Sequence, residues 1–198
     1  MSTDPNVIAA MRLAPLDRPR GLWQRLLWLY FRMRFGKVMA PLRVMLPRIP
    51  RYTPAYVRLI FFAERGLSLS PRIRHLIELR VSQRNGCSFC SDLHQAMALA
   101  KGHDDLLFDS VDGYESDSRY DEPTRWALRY ADEVVETHSC SDATFEAVRE
   151  HFGEQQTVEL AWLVAFTNFH NMLARPLGLV SDGFCDIVRA QRGLQPPA

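Results

Sequence analysis

Along most of the chain apolar residues recur at intervals of three and four, and almost nowhere do they alternate with period two, which predicts a nearly all-helical fold with no internal repeat. A first helix is expected from about Leu22 to Val38, with Leu22, Leu26, Leu29 and Met33 on one side and arginines between them. Pro41, Pro47, Pro50 and Pro54 then break the pattern into short turns before a second helix, Ala55 to Arg65, stopped by Gly66. Ser70-Pro71 is a cap followed by a first-turn proline, so a third helix runs from there to Asn85-Gly86. The next, Cys87 to Lys101, carries Phe89, Leu93, Ala96 and Ala100 on one face and stops at Gly102. His103 to Asp121 is rich in Asp, Ser and Gly and reads as a solvated connector. Glu122-Pro123 opens a helix with Trp126, Tyr130 and Val134 in register. Another is expected from Asp142 to Phe152, stopped by Gly153, then a long one from Glu154 to Ala174 and a short last one from Asp182 to Arg192. Residues 160–173 are apolar nearly all round, which suits a helix at the centre of the core or at a subunit interface.

With 198 residues, 47% of them apolar, the chain is long enough for one ordinary core. Its formal net charge of +1 conceals an imbalance, because residues 1–80 carry a balance of +11 and residues 81–198 one of −10. The expected division is a basic N-terminal helical arm, residues 1–53, and a helical domain, residues 54–198. A nucleic-acid-binding domain usually keeps its basic surplus overall, so the cancelling halves argue against that class of partner. No uncharged apolar run reaches the length of a membrane span, and the first residues lack a secretory h-region, so the expected location is the cytoplasm. The arm is expected to fasten the two charged halves together, within or between subunits; contact with an anionic membrane surface is the lesser expectation for it.

The specific chemistry lies between Pro71 and Gly102. Four cysteines are too few for a disulfide framework, and Cys87 and Cys90 stand apart from the isolated Cys140 and Cys185 as a close pair. Cysteines at i and i+3 near a helix start share a face, are close enough to bond, and meet the positive end of the helix dipole, which favours a thiolate. His94 is one turn beyond Cys90 and can exchange a proton with it. His75, Glu78 and Ser82 fall at i, i+3 and i+7 on the preceding helix, a polar stripe that faces the cysteines if the chain folds back at Gly86. Together these groups would make a thiol-redox site with a proton relay. Three bland readings stand beside it. A zinc site would use Cys87, Cys90 and His94 but lacks a second Cys-x-x-Cys. The cysteines could instead be two small buried hydrophobes, and His75 and Glu78 a solvated helix face. His103, His138, His151 and His170 have no partner placed by spacing and read as structural.

Residues 70–102 resemble the core motif of the carboxymuconolactone decarboxylase superfamily, specifically its alkylhydroperoxidase D-like branch. The resemblance rests on Glu78-Leu79-Arg80-Val81-Ser82, Asn85-Gly86-Cys87-Ser88-Phe89-Cys90 and Asp92-Leu93-His94, with a fainter echo in Val158-Glu159-Leu160, Asn168 and Asn171. It implies an all-α helical bundle, homo-oligomers (dimers, trimers or hexamers), and a peroxidase that needs no metal or haem. Mapped here, Cys90 is the peroxidatic thiol, Cys87 the resolving thiol and His94 part of the relay, with a hydroperoxide as substrate and an external thiol or dithiol as reductant. One departure stands out. The branch's peroxidases have a glutamate twelve residues before the first cysteine, where this chain has His75; either Glu78, one turn on, stands in for it or His75 is itself the relay base. The alternatives are a non-redox enzyme of the same superfamily, with His94 as acid and base, and a redox-sensing helical interaction module with a basic arm.

Overall fold

The structure is a computed structural model that describes residues 11–19 and 21–194. These residues form an all-α fold with no strand among them. In chain order the helices are α1 (Leu22–Phe35), α2 (Ala40–Val44), α3 (Thr53–Arg65), α4 (Pro71–Arg84), α5 (Ser88–Ala100), α6 (Asp105–Asp109), α7 (Glu122–Thr137), α8 (Asp142–Ala174) and α9 (Phe184–Arg192), with short 3-10 turns at Val111–Gly113 and Arg175–Leu177. No described helix is long and apolar enough to cross a membrane.

Helix starts follow the capping residues. Ser70 Oγ accepts from the Ile73 amide at 3.3 Å with Pro71 in the first turn of α4, and Asp121 accepts from the Thr124 amide at 3.0 Å at the head of α7. Each such cap contributes about 1 kcal/mol. Pro41 and Pro54 also fall in first turns, of α2 and α3, where a missing amide costs nothing; α2 lies in the stretch expected to hold only turns, while α3 starts two residues before the helix expected from Ala55. Gly153, expected as a stop, is a kink within α8 at φ 70°, and the chain resumes its helix beyond it.

α4 is the central element. It packs against α5, α7 and α8, and every residue from Arg74 to Ser82 is buried. The polar stripe His75, Glu78, Ser82 is therefore buried with its apolar neighbours, and each polar group must find partners inside the protein.

Two apolar clusters flank this helix. One joins Leu76, Leu79, Leu128, Ala131, Leu160 and Leu163 of α4, α7 and α8, and takes in Leu107, Phe108, Val111 and Tyr120. The stretch expected to be a solvated connector is thus folded into the core, because its few apolar residues outweigh its polar composition. The second cluster joins Phe35, Leu42, Val44 and Leu46 to Cys87, Cys90, Leu99, Phe184 and Val188. Residues 22–53, read from the sequence as an arm, here share a core with the cysteine pair; residues 1–10 and residue 20 lie outside the described residues. On α1 the inward side carries Gln24, Trp28, Phe31 and Phe35, while Leu22, Leu26, Leu29 and Met33 are exposed. Asp92 of α5 ties the last helix to the site helix, its carboxylate accepting from the amides of Asp182 (3.2 Å), Phe184 (2.9 Å) and Cys185 (2.8 Å).

Candidate active site

The turn between α4 and α5 places the cysteines. Gly86 adopts φ +63°, which a side chain would strain, and the Asn85 amide group donates to Asn168 Oδ1 at 2.7 Å and Asn171 Oδ1 at 2.9 Å on α8. Asn171 in turn donates to Ser82 Oγ at 3.3 Å. The polar positions 82, 85, 168 and 171 thus lock the turn to α8. Cys87 then caps α5, its sulfur accepting from the Cys90 amide at 3.3 Å. Cys87 and Cys90 are joined as a disulfide with Cα atoms 5.3 Å apart, and both are almost fully buried. The described residues leave Cys140 and Cys185 free, and burial pushes the Cys185 thiol up to about 12.

Glu78 is the hub of the titratable groups. Its Oε2 lies 3.0 Å from His75 Nδ1 and 3.3 Å from His94 Nδ1. The first contact is a hydrogen bond; the second has ion-pair distance without hydrogen-bond alignment. Burial alone would raise the Glu78 carboxyl, but the charge of His94 and the hydrogen bond from His75 outweigh it and hold the group well below the usual carboxylate range. An ionised carboxylate therefore sits between two imidazoles, one of them a helical turn from Cys90. Both groups that the resemblance left open, Glu78 and His75, thus lie in one contact, with Glu78 the one nearer to His94.

Four further residues border this chain. Glu64 of α3 pairs with Lys101, and a Glu64 carboxylate oxygen, a His75 ring nitrogen and a Glu78 carboxylate oxygen lie within 4.8 Å of one another. The His103 ring stands 5.8 Å from that of His75; burial, His75, Lys101 and Arg72 all lower its pKa. On the other side His170 of α8 packs edge-on against Tyr56 at 5.4 Å and Phe166 at 4.3 Å. Burial, with help from His94 and against the pull of Glu78, lowers its pKa to about 4. Spacing within one segment could not reveal these neighbours. Charge could have revealed one, because Glu64 and Glu78 are the only acidic residues between positions 18 and 80.

Residues 50–106 match the model of the carboxymuconolactone decarboxylase family. A solved structure from Agrobacterium tumefaciens, of a protein of unknown function assigned to antioxidant defence as AhpD, is 27% identical, with a TM-score of 0.59 over 65% of this chain and 88% of that one. Residues 50–106 thus carry the carboxymuconolactone decarboxylase pattern, and about two thirds of the chain is similar in fold to a structure named for AhpD. The uncharacterized protein YnjA of Escherichia coli is 29% identical over 180 residues, 89% of this chain and 97% of that protein. The debrominase Bmp8, solved with 2,3,4-tribromopyrrole, matches at a TM-score of 0.77 over 91% of this chain and 96% of that one, with 14% identity. That last likeness is one of fold. Its coverage takes in the N-terminal helices, in keeping with their place in the second cluster.

Proposed function

We propose that the protein is a thiol-dependent peroxidase, a disulfide oxidoreductase that reduces hydroperoxides through Cys90 and Cys87. The observation that carries this reading is the ionised Glu78 held between His75 and His94 beside a buried cysteine pair at a helix start. In the reduced protein His94 takes the Cys90 proton, and Glu78 stabilises the resulting imidazolium. The thiolate attacks the terminal oxygen of R–O–O–H; the O–O bond breaks, Cys90 becomes a sulfenic acid, and the alkoxide leaves with the proton from His94 as an alcohol. Cys87 then displaces water from the sulfenic acid, forming the disulfide. An external dithiol returns two electrons and two protons and leaves as its own disulfide. No step calls on a metal or organic cofactor.

Titration of free thiols after one equivalent of an alkyl hydroperoxide tests the reading. The wild type is expected to lose two thiols per chain and Cys90→Ser none; an unchanged count in the wild type would refute it. Self-association belongs to the same proposal, with the exposed apolar side of α1 as its surface, and light scattering should give a mass above that of one chain.

A further inference from the structure

The site described above has a loose end on the side away from the cysteines. His75 is fully buried, its Nδ1 is taken by Glu78, and its Nε2 has no partner. His103 Nε2, in the neighbouring ring, is likewise buried and unpaired. Leaving a buried ring nitrogen without a partner costs about 1–3 kcal/mol, and the two rings that carry these nitrogens are neighbours, 5.8 Å apart. Glu64 also borders the His75 ring. Its side chain and that of Lys101 are 19% and 38% exposed, so the pair reaches the protein surface, while the Glu64 carboxylate stays within 4.8 Å of the His75–Glu78 contact. A water with hydrogen bonds of about 2.8 Å on each side spans such a gap.

We propose that Glu64 is the solvent port of the proton relay: a water held between its carboxylate and His75 carries protons between bulk solvent and the His75–Glu78–His94 chain. The groups facing the port are Lys101 on Glu64, Glu78 and His103 on His75, and Lys101 and Arg72 around His103. The inference rests on the reading of Cys87–Cys90 as a working dithiol, because a buried thiolate that forms and disappears each cycle needs a route for its proton. Glu64 acts through His75 and touches neither sulfur nor substrate, which makes it a positioning residue.

Reduction of the oxidised full-length protein by dithiothreitol tests the port without any peroxide. Dithiothreitol loses two hydrogens as it cyclises to its disulfide, the Cys87–Cys90 bond breaks, and each released sulfur ends as a thiol. In dilute buffer Glu64→Gln should slow this reaction about tenfold and change its pH profile, and imidazole or formate, acting as mobile proton carriers, should restore the rate. Glu64→Asp should keep most of the wild-type rate. A slow Glu64→Gln protein that small buffers fail to rescue, or one as fast as wild type, would overturn the port. So would stoichiometric binding of Zn2+ or Co2+ that Glu64→Gln abolishes, which would make the cluster a cation site. Rescue of dithiothreitol reduction in a protein inert to hydroperoxide would leave the port standing and remove the peroxidase reading. Peroxide-driven loss of two thiols with no Glu64 effect would do the reverse.

Discussion

Glu78 and Arg80 lie two residues apart on α4, both nearly out of solvent, and their surroundings follow opposite rules. The Arg80 guanidinium donates to Asp132 through Nε at 2.7 Å and Nη2 at 2.9 Å and pairs with Asp112 through Nη1, while Tyr114 donates to the same Asp132 at 3.2 Å. Burial would lower the Arg80 pKa, but these carboxylates outweigh it and raise it. In that network every guanidinium nitrogen has a carboxylate partner. Around Glu78 the partners are imidazoles, whose ring nitrogens can donate or accept, and nitrogens are left over. A network built to hold helices together saturates every donor, whereas one built to pass protons keeps some ends open.

Substitutions on each side of this contrast should separate the two roles. The largest effect is expected for Glu78→Gln, which removes the charge between the imidazoles: hydroperoxide-dependent thiol loss should slow by about 10²–10⁴-fold, with little change in the urea midpoint. Arg80→Ala should give the converse, a loss of about 3 kcal/mol in urea unfolding as Asp132 loses its paired donors, with thiol kinetics of the folded protein intact. Equal losses of stability from both variants would erase the distinction.

His170 provides a finer test. Its folded pKa of about 4 lies below the unfolded value of roughly 6.5, so the unfolded chain binds more protons between those values. Stability from this group is present above about pH 6.5 and lost as pH falls towards 4, by on the order of 3 kcal/mol. His170→Gln should flatten that part of the pH–stability curve, and an unaltered slope would show that the imidazole titrates normally. Gly86→Ala should have the smallest effect, about 1 kcal/mol from the positive φ, read as a modest fall in melting temperature with slower dithiol reduction.

The same contrast explains what could be read before the fold was known. The helix order, the Ser70 cap, the Gly86 turn and the Cys87, Cys90, His94 register are local, set by neighbours within a few residues, and were legible. So was the stripe of His75, Glu78 and Ser82, though not its burial, since a helix enclosed on all sides has no solvent face to betray it. The core residues Phe108 and Tyr120 were hidden in a polar stretch, because their burial depends on α4 and α7 arriving from elsewhere. Which side of α1 turns inward was unreadable for the same reason, as both sides of that helix are apolar. Glu64, His103 and His170 come to the site from α3, the loop after α5 and α8, and only packing brings them together.

Asp92 has a consequence for how the molecule breathes. It lies two residues beyond Cys90 and receives three amides from the start of α9, so the last helix cannot fray from the body without uncovering a carboxylate on the helix that bears the cysteines. The amides of Asp182, Phe184 and Cys185 should therefore exchange with deuterium at the pace of α5, as one cooperative unit. The C-terminal helix and the cysteine helix would then open together, and the sulfurs would be guarded by a segment almost a hundred residues downstream.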